Sequence, residues 1–477
     1  MEPPFLLLAF LHLPFILLIP TLSCETSHNA DSVRFELFHR HHRELSERII
    51  VPQTDGERLR ESVHNDQRRH RWISMKLGGD VVRRRAQQVA ADSNDSFRIP
   101  ISSGAYAYSG SYFVIFSIGT PSQRFLMVAD TGSDLAWMNC RYRCRNCKRD
   151  RRFQNRRIFR ADDSKTFAPI PCSSRLCTQS ILPESVPTIC PEPTKPCYYQ
   201  YGYLGGSRSM GFYANESATV YLAGGGRRKI KGILIGCSTS FGGSTNNMVD
   251  GILGLGHSGG YSFSDVSLKH FGGKFSYCLV DRHSSRNQNN YLIFGPTPQP
   301  SSSSMTYATL IANELNVPHY GVDVKGISVG GVMLDIPPMV WDLKSRGGAI
   351  IDSGTTLTLL PEPAFVPVMK AFRDALKGFR EVPDEMFDFC FSTENGFMED
   401  AVPRFVWHLG ESVRFEPPLK SYILSDVGFE NIRCLGFWGI PWPGITIIGN
   451  LMQQEHFWEF DIKNGRLGFR PSSCILD

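Results

Sequence analysis

One short pattern occurs twice in this chain, and it restricts the fold more than any other feature. Phe125-Leu126-Met127-Val128-Ala129 leads into Asp130-Thr131-Gly132-Ser133, and Ala349-Ile350-Ile351 leads into Asp352-Ser353-Gly354-Thr355. A short apolar run that stops at turn residues reads as a buried strand, so each aspartate is delivered from a strand into a tight turn. Each half later shows two aliphatics and a glycine, Ile252-Leu253-Gly254 and Ile447-Ile448-Gly449. The same features in the same order imply two related lobes. Their junction is expected in Pro296–Ser304, a Pro- and Ser-rich stretch, which divides the body into residues 106–300 and 301–477.

The wider composition fits an all-β body. Forty-three Gly and 30 Pro accompany short runs of β-branched and aromatic residues from Tyr106 onward, as in Tyr112–Ile118 followed by Gly119-Thr120-Pro121. With 42% hydrophobic and 20% charged residues the chain is globular, and 477 residues suggest two or three domains. The net charge of +5 is unevenly placed and says little about partners.

Upstream of the repeat the character changes. Phe5–Ile19 is an apolar run of signal-peptide length, broken by Pro14 and ending near Ser23, so residues 1–23 are expected to be a cleaved secretory signal. A retained anchor is the alternative; no later stretch is apolar and long enough to cross a bilayer. Residues 24–105 carry basic runs such as Arg83-Arg84-Arg85, with amphipathic helix expected over Leu45–Leu77, and read as a propeptide or else as a solvated linker. Of thirteen cysteines, twelve remain once Cys24 is set aside with the signal, an even number that favours disulfides in an exported protein. Cys140, Cys144 and Cys147 have zinc-like spacing, but no His lies among them, and neither metal nor cofactor is expected. Export is expected to end outside the cell or in a vacuole.

The two aspartates carry the chemistry. Carboxylates brought within hydrogen-bond distance cannot both ionise cheaply, so they share a proton and titrate as a unit. One member can then take a proton from water while the other polarises a carbonyl. Two unrelated surface Asx turns are the alternative reading, and surface turns do not normally follow such apolar runs. Asp130-Thr131-Gly132-Ser133-Asp134-Leu135-Ala136-Trp137 and Asp352-Ser353-Gly354-Thr355-Thr356 resemble the paired active-site motifs of pepsin-like aspartic proteases. The twelve body cysteines and the insertion after Trp137 are similar to the plant nepenthesin-like branch, and the resemblance covers roughly residues 106 to 477.

That resemblance implies a bilobal β fold with a cleft between lobes, Asp130 and Asp352 as catalytic residues, and polypeptide substrates. Thr131 and Ser353 would brace the two loops against each other. Ser133 and Thr355 would bond the outer carboxylate oxygens, beside Gly132 and Gly354. It also implies the disulfides Cys278–Cys474 and Cys390–Cys434. The aliphatic-aliphatic-Gly features would pass beneath each aspartate.

The family closes its cleft with a hairpin flap carrying a Tyr, and here the chain departs from the pattern. Tyr203-Leu204-Gly205-Gly206-Ser207 matches without gaps and is preferred over Tyr201-Gly202. In the family the flap Tyr bonds a Trp at the place of Trp137, although ordinary strand packing competes for either Tyr. Nine basic residues lie from Arg141 to Arg157, read either as a solvated loop or as a patch for a polyanion; export argues against nucleic acid as the partner. Asn215-Glu216-Ser217 is an N-glycosylation sequon, and a monomer is expected. The competing reading for the whole chain is a catalytically silent binding protein on the same fold, similar to plant xylanase inhibitors.

Overall fold

The computed structural model describes residue 60 and residues 96–474, apart from 104–111, 144–156, 179–187, 203–207, 224, 243–248, 258–259, 282–289, 298–303, 312–318, 426 and 428. The signal segment, all of the expected leader before Ser96 except Arg60, Cys144, Cys147 and Tyr203 lie outside the described residues.

Strands dominate, and they build the same topology twice. In the first half, Tyr112–Ile118 turns back antiparallel onto Gln123–Asp130. The turn uses Gly119 at φ 94°, where a side chain would be strained and would also meet the Phe159 ring at 3.0 Å. Along Gln123–Asp130, Phe125, Met127 and Ala129 are buried in alternation with Leu126 and Val128, the period-two pattern of a strand packed on one face. Its parallel neighbour is Gly251–Gly254, which runs antiparallel to Ala136–Arg141, itself parallel to Arg227–Gly242. In the second half, Ala349–Ile351 pairs parallel with Thr446–Ile448, which meets Thr358–Pro361 antiparallel, and that strand pairs parallel with Phe437–Ile440. Trp137 faces Ile252 in the first set and Leu359 faces Ile447 in the second, each seven residues past its aspartate.

A sheet shared by both halves joins them. Its antiparallel order is Phe97–Ser103, Asn290–Phe294, Lys274–Cys278, His456–Asp461, Arg466–Pro471 and Thr306–Ile311. Aromatic rings tie it together: Phe97 stacks on Phe294 at 4.8 Å, and Phe275 stacks on Phe460 at 4.6 Å. Fully burying rings of this size contributes on the order of 1.5–3 kcal/mol each. Phe97–Ser103, which the sequence reading places in the expected leader, forms a strand of this sheet, with Phe97 and Ile99 buried in the core.

Two smaller sheets complete the second half, one built on Val324–Val329 and Phe405–Leu409, the other on Cys390–Ser392 and Ile432–Leu435. Helix Glu362–Ala375 packs against Phe437–Ile440, Thr358–Pro361 and Val324–Val329, with Ala364, Val368, Met369 and Phe372 buried along one face. Disulfides join Cys140–Cys237, Cys172–Cys190, Cys177–Cys197, Cys278–Cys474 and Cys390–Cys434. The sulfurs of Cys172, Cys177 and Cys190 lie within 4.8 Å of one another, and each is held in one of these bonds.

Candidate active site

Each aspartate ends a buried strand and is enclosed by its own turn. Asp130 Oδ1 accepts from Gly132 N at 3.1 Å and Oδ2 from the Ser133 hydroxyl at 2.5 Å. Asp352 Oδ1 accepts from Gly354 N at 2.8 Å and Oδ2 from the Thr355 hydroxyl at 2.6 Å. Donors aimed at a carboxylate favour its ionised form and fix its plane. Both side chains are almost fully buried, at 1% and 0% exposure. The phenol of Tyr277 registers the second one: its pKa is pushed well above the ordinary value by burial first and then by the charge of Asp352.

The two turns are locked to each other by a reciprocal set of bonds. Thr131 N donates to Ser353 Oγ at 3.1 Å, and Ser353 N donates to Thr131 Oγ1 at 2.8 Å. Each hydroxyl then donates onward across the junction, Ser353 to Ala129 O at 3.0 Å and Thr131 to Ile351 O at 3.5 Å. The lobes therefore meet at the residues next to the aspartates, and the backbone of neither turn can shift without breaking bonds to the other half.

The glycines beneath explain why both halves repeat an aliphatic pair and a Gly. Gly254 is the register partner of Asp130, and a Cβ there would lie 2.6 Å from the Asp134 carbonyl carbon. A Cβ on Gly449 would lie 2.1 Å from Leu357 O. Only glycine lets these segments pass so close to the chain that follows each aspartate turn. Beyond them, Leu255 N donates to Asp130 O and Asn450 Nδ2 donates to Ser353 O, at 2.8 and 3.0 Å.

Several supporting residues carry no mark in the sequence. Asp250 has a fully buried carboxylate that accepts from Leu126 N and Arg157 N at 2.9 and 2.8 Å, tying the end of the Arg-rich insertion to the strand of Asp130. Glu216, inside the sequon of Asn215, accepts from the hydroxyls of Ser164 and Thr166. Tyr320 crosses between halves to donate to Leu255 O at 2.7 Å. Such residues resemble any other Asp, Glu or Tyr until the chain is folded. The one available hint was position, since Asp250 directly precedes the Gly251–Gly254 strand.

The remaining expected sites fall as follows. Strands Tyr198–Gly202 and Arg208–Tyr221 form a hairpin whose tip, with Tyr203, lies outside the described residues. Tyr201 is buried in a cluster with Trp137, Tyr199 and Tyr213, and its hydroxyl lies 3.5 Å from Asp134 Oδ1. Of the basic stretch, Arg141, Arg143 and Arg157 are described, and Arg143 N bonds both oxygens of Asp162 at 3.0 Å. Asn215 sits within a strand paired on both sides, to Leu234 and to Ala168, with Ser217 buried. That is a different setting from the surface loop a glycan acceptor ordinarily occupies. Among the described residues no helix is long and apolar enough to cross a membrane.

Comparison with known proteins agrees with this geometry. Residues 112–296 match the family model described as "Xylanase inhibitor N-terminal" and residues 319–471 the one described as "Xylanase inhibitor C-terminal". The chain is 35% identical to aspartyl protease family protein 2 of Arabidopsis thaliana, over 79% of this chain and 74% of that one. It is 31% identical to aspartic proteinase nepenthesin-2 of Nepenthes gracilis, over 88% and 87%. Among solved structures, basic 7S globulin from soybean shares the fold with a TM-score of 0.61 at 18% identity, covering 80% of this chain and 97% of that one. With two matching lobes, paired aspartate turns and relatives of this kind, the chain belongs to the plant branch of the pepsin-like aspartic protease family.

Proposed function

We propose that this chain is an aspartic endopeptidase, exported as a precursor and active in acid, in which Asp130 and Asp352 activate water together. The observation that carries the reading is the reciprocal Thr131–Ser353 lock, which holds two identically supported carboxylates at the junction of the lobes. Sharing one proton, the pair holds a base and an acid at once. The ionised member takes a proton from a water molecule as it attacks the scissile carbonyl carbon. The protonated member hydrogen-bonds the carbonyl oxygen and stabilises the negative charge that grows there. Collapse of the tetrahedral species returns a proton to the departing amine, and the shared-proton state is restored. The flap hairpin would cover an extended polypeptide in the cleft. Export to the cell exterior or a vacuole fits the disulfides and the apolar N-terminus.

A catalytically silent binding protein is the alternative, and the xylanase-inhibitor description of the matching family models favours it. Two complete aspartate turns weigh against it. The deciding assay is hydrolysis of a denatured protein at about pH 3 to 5 by the processed chain, with and without pepstatin. Asp130→Asn and Asp352→Asn should each abolish turnover. Turnover that survives either change would sink the shared-proton mechanism.

A further inference from the structure

The Thr131–Ser353 lock grips the residue after the second aspartate, and a separate set of bonds grips the aspartate's own backbone. Asp352 N donates to Ile448 O at 3.1 Å, and the same carbonyl accepts from Gln453 Nε2 at 2.8 Å. At the other end of that amide, Gln453 Oε1 accepts from the Tyr277 hydroxyl at 2.5 Å. We propose that Tyr277 and Gln453 are positioning residues for peptide hydrolysis, a relay through which the first lobe holds the backbone of Asp352 in place. The proposal rests on the protease reading of Asp352.

Partner chemistry fixes both ends of the relay. Ile448 O can only accept, so the Gln453 amino group must face it, and Oε1 is left to take the phenol proton. Tyr277 and Trp458 are register partners on adjacent strands, so their side chains leave the sheet on the same face. Both end on Gln453, the phenol on its side chain and Trp458 Nε1 on its backbone carbonyl at 2.9 Å. The short helix Asn450–Gln453 therefore holds the second turn twice, since Asn450 Nδ2 donates to Ser353 O at 3.0 Å.

Tyr277, Gln453 and Asp352 are each no more than 1% exposed. A charged side chain in either supporting place would disturb the shared proton of the aspartates, whereas a phenol and an amide supply fixed dipoles. Burial, and then the charge of Asp352, hold the phenol in its protonated, donating form.

The first aspartate is served from the opposite half in the same manner. Tyr320 donates to Leu255 O at 2.7 Å, and Leu255 N donates to Asp130 O at 2.8 Å. Tyr320 and Tyr277 both pack on Phe460, with ring centroids 5.0 and 5.3 Å away. Each lobe thus lends a buried tyrosine to the strand that supports the other lobe's aspartate.

The test compares Tyr277→Phe, Gln453→Met and the double variant with the processed parent. Steady-state hydrolysis of a peptide gives kcat and KM, and hydrogen exchange is followed by mass spectrometry over residues 349–355. Phenylalanine keeps the ring on Phe460 and removes only the hydroxyl, so the fold is retained. Tyr277→Phe should lower kcat about tenfold with KM within about twofold, because the carboxylate is misplaced while the cleft is not. The double variant should be no slower than Gln453→Met alone, since both changes cut one relay. Exchange should rise about fivefold in Tyr277→Phe. Tyr307→Phe is the control: it removes a 3.0 Å bond to Glu459 in the same sheet and should leave kcat at the parent value. Parent-like kcat in Tyr277→Phe, or an equal loss in Tyr307→Phe, overturns the positioning role. Unchanged exchange, or single effects that multiply in the double variant, overturns the relay. If the parent itself does not cleave, the protease reading fails, and exchange still decides whether the relay exists.

Discussion

The Thr131–Ser353 lock makes an asymmetric prediction that can be worked bond by bond. Ser353→Ala removes the acceptor of Thr131 N and the donor to Ala129 O, at 3.1 and 3.0 Å, and both groups lie in the buried junction. A buried N–H left without a partner costs about 1–3 kcal/mol, and the orphaned carbonyl adds a smaller amount, for a total of about 2–4 kcal/mol. Thr131→Ala strands Ser353 N in the same way, but the bond it loses to Ile351 O is already long at 3.5 Å. Its cost should fall nearer 1–3 kcal/mol. For lobes of this length the serine change should lower Tm by roughly 5–15 °C. Ser353→Thr is the control, since the matching position in the other half is already Thr131. It should stay within about 1 kcal/mol of the parent. Because both hydroxyls serve one network, the double alanine variant should cost less than the sum of the two single changes. Urea unfolding of disulfide-intact protein measures the stabilities, and kcat/KM on a peptide substrate measures the placement of the carboxylates. If both alanine variants lie within about 0.5 kcal/mol of the parent and cleave at the parent rate, the lock does not hold the two turns together.

Two further outcomes follow from buried charges beside the first turn. Asp250→Ala frees Leu126 N and Arg157 N, should cost about 3 kcal/mol, and should open the basic insertion to trypsin, with limited proteolysis as the readout. His257 lies 2.5 Å from Asp265; burial opposes its charge, but the bond and charge of Asp265, with Asp134 assisting and Lys269 opposing, raise its pKa above the ordinary value. That pair contributes fully below the ordinary histidine value and is lost as pH rises through the raised one, so the Tm difference between the parent and His257→Gln should shrink as pH is raised above the ordinary histidine value.

What the sequence determined by itself was local and repeated. An apolar strand, an aspartate and a glycine turn are encoded by adjacent residues, and finding them twice was enough to mark Asp130 and Asp352 and to expect two β lobes. The glycines at 254 and 449 were legible as a repeat, although not as positions where a Cβ would collide with the neighbouring backbone. Everything that depends on distant chain segments meeting was decided by tertiary structure. Asp250 is one buried acid among 46 Asp and Glu in the chain, and only folding places it between Leu126 and Arg157. The strand Phe97–Ser103 read as leader because its partner, Asn290–Phe294, lies far along the chain. The physical reason is the same in each case. Strand period and turn chemistry act over a few residues, whereas a buried ion pair or hydrogen bond takes its worth from desolvation, which exists only after the lobes have closed around it.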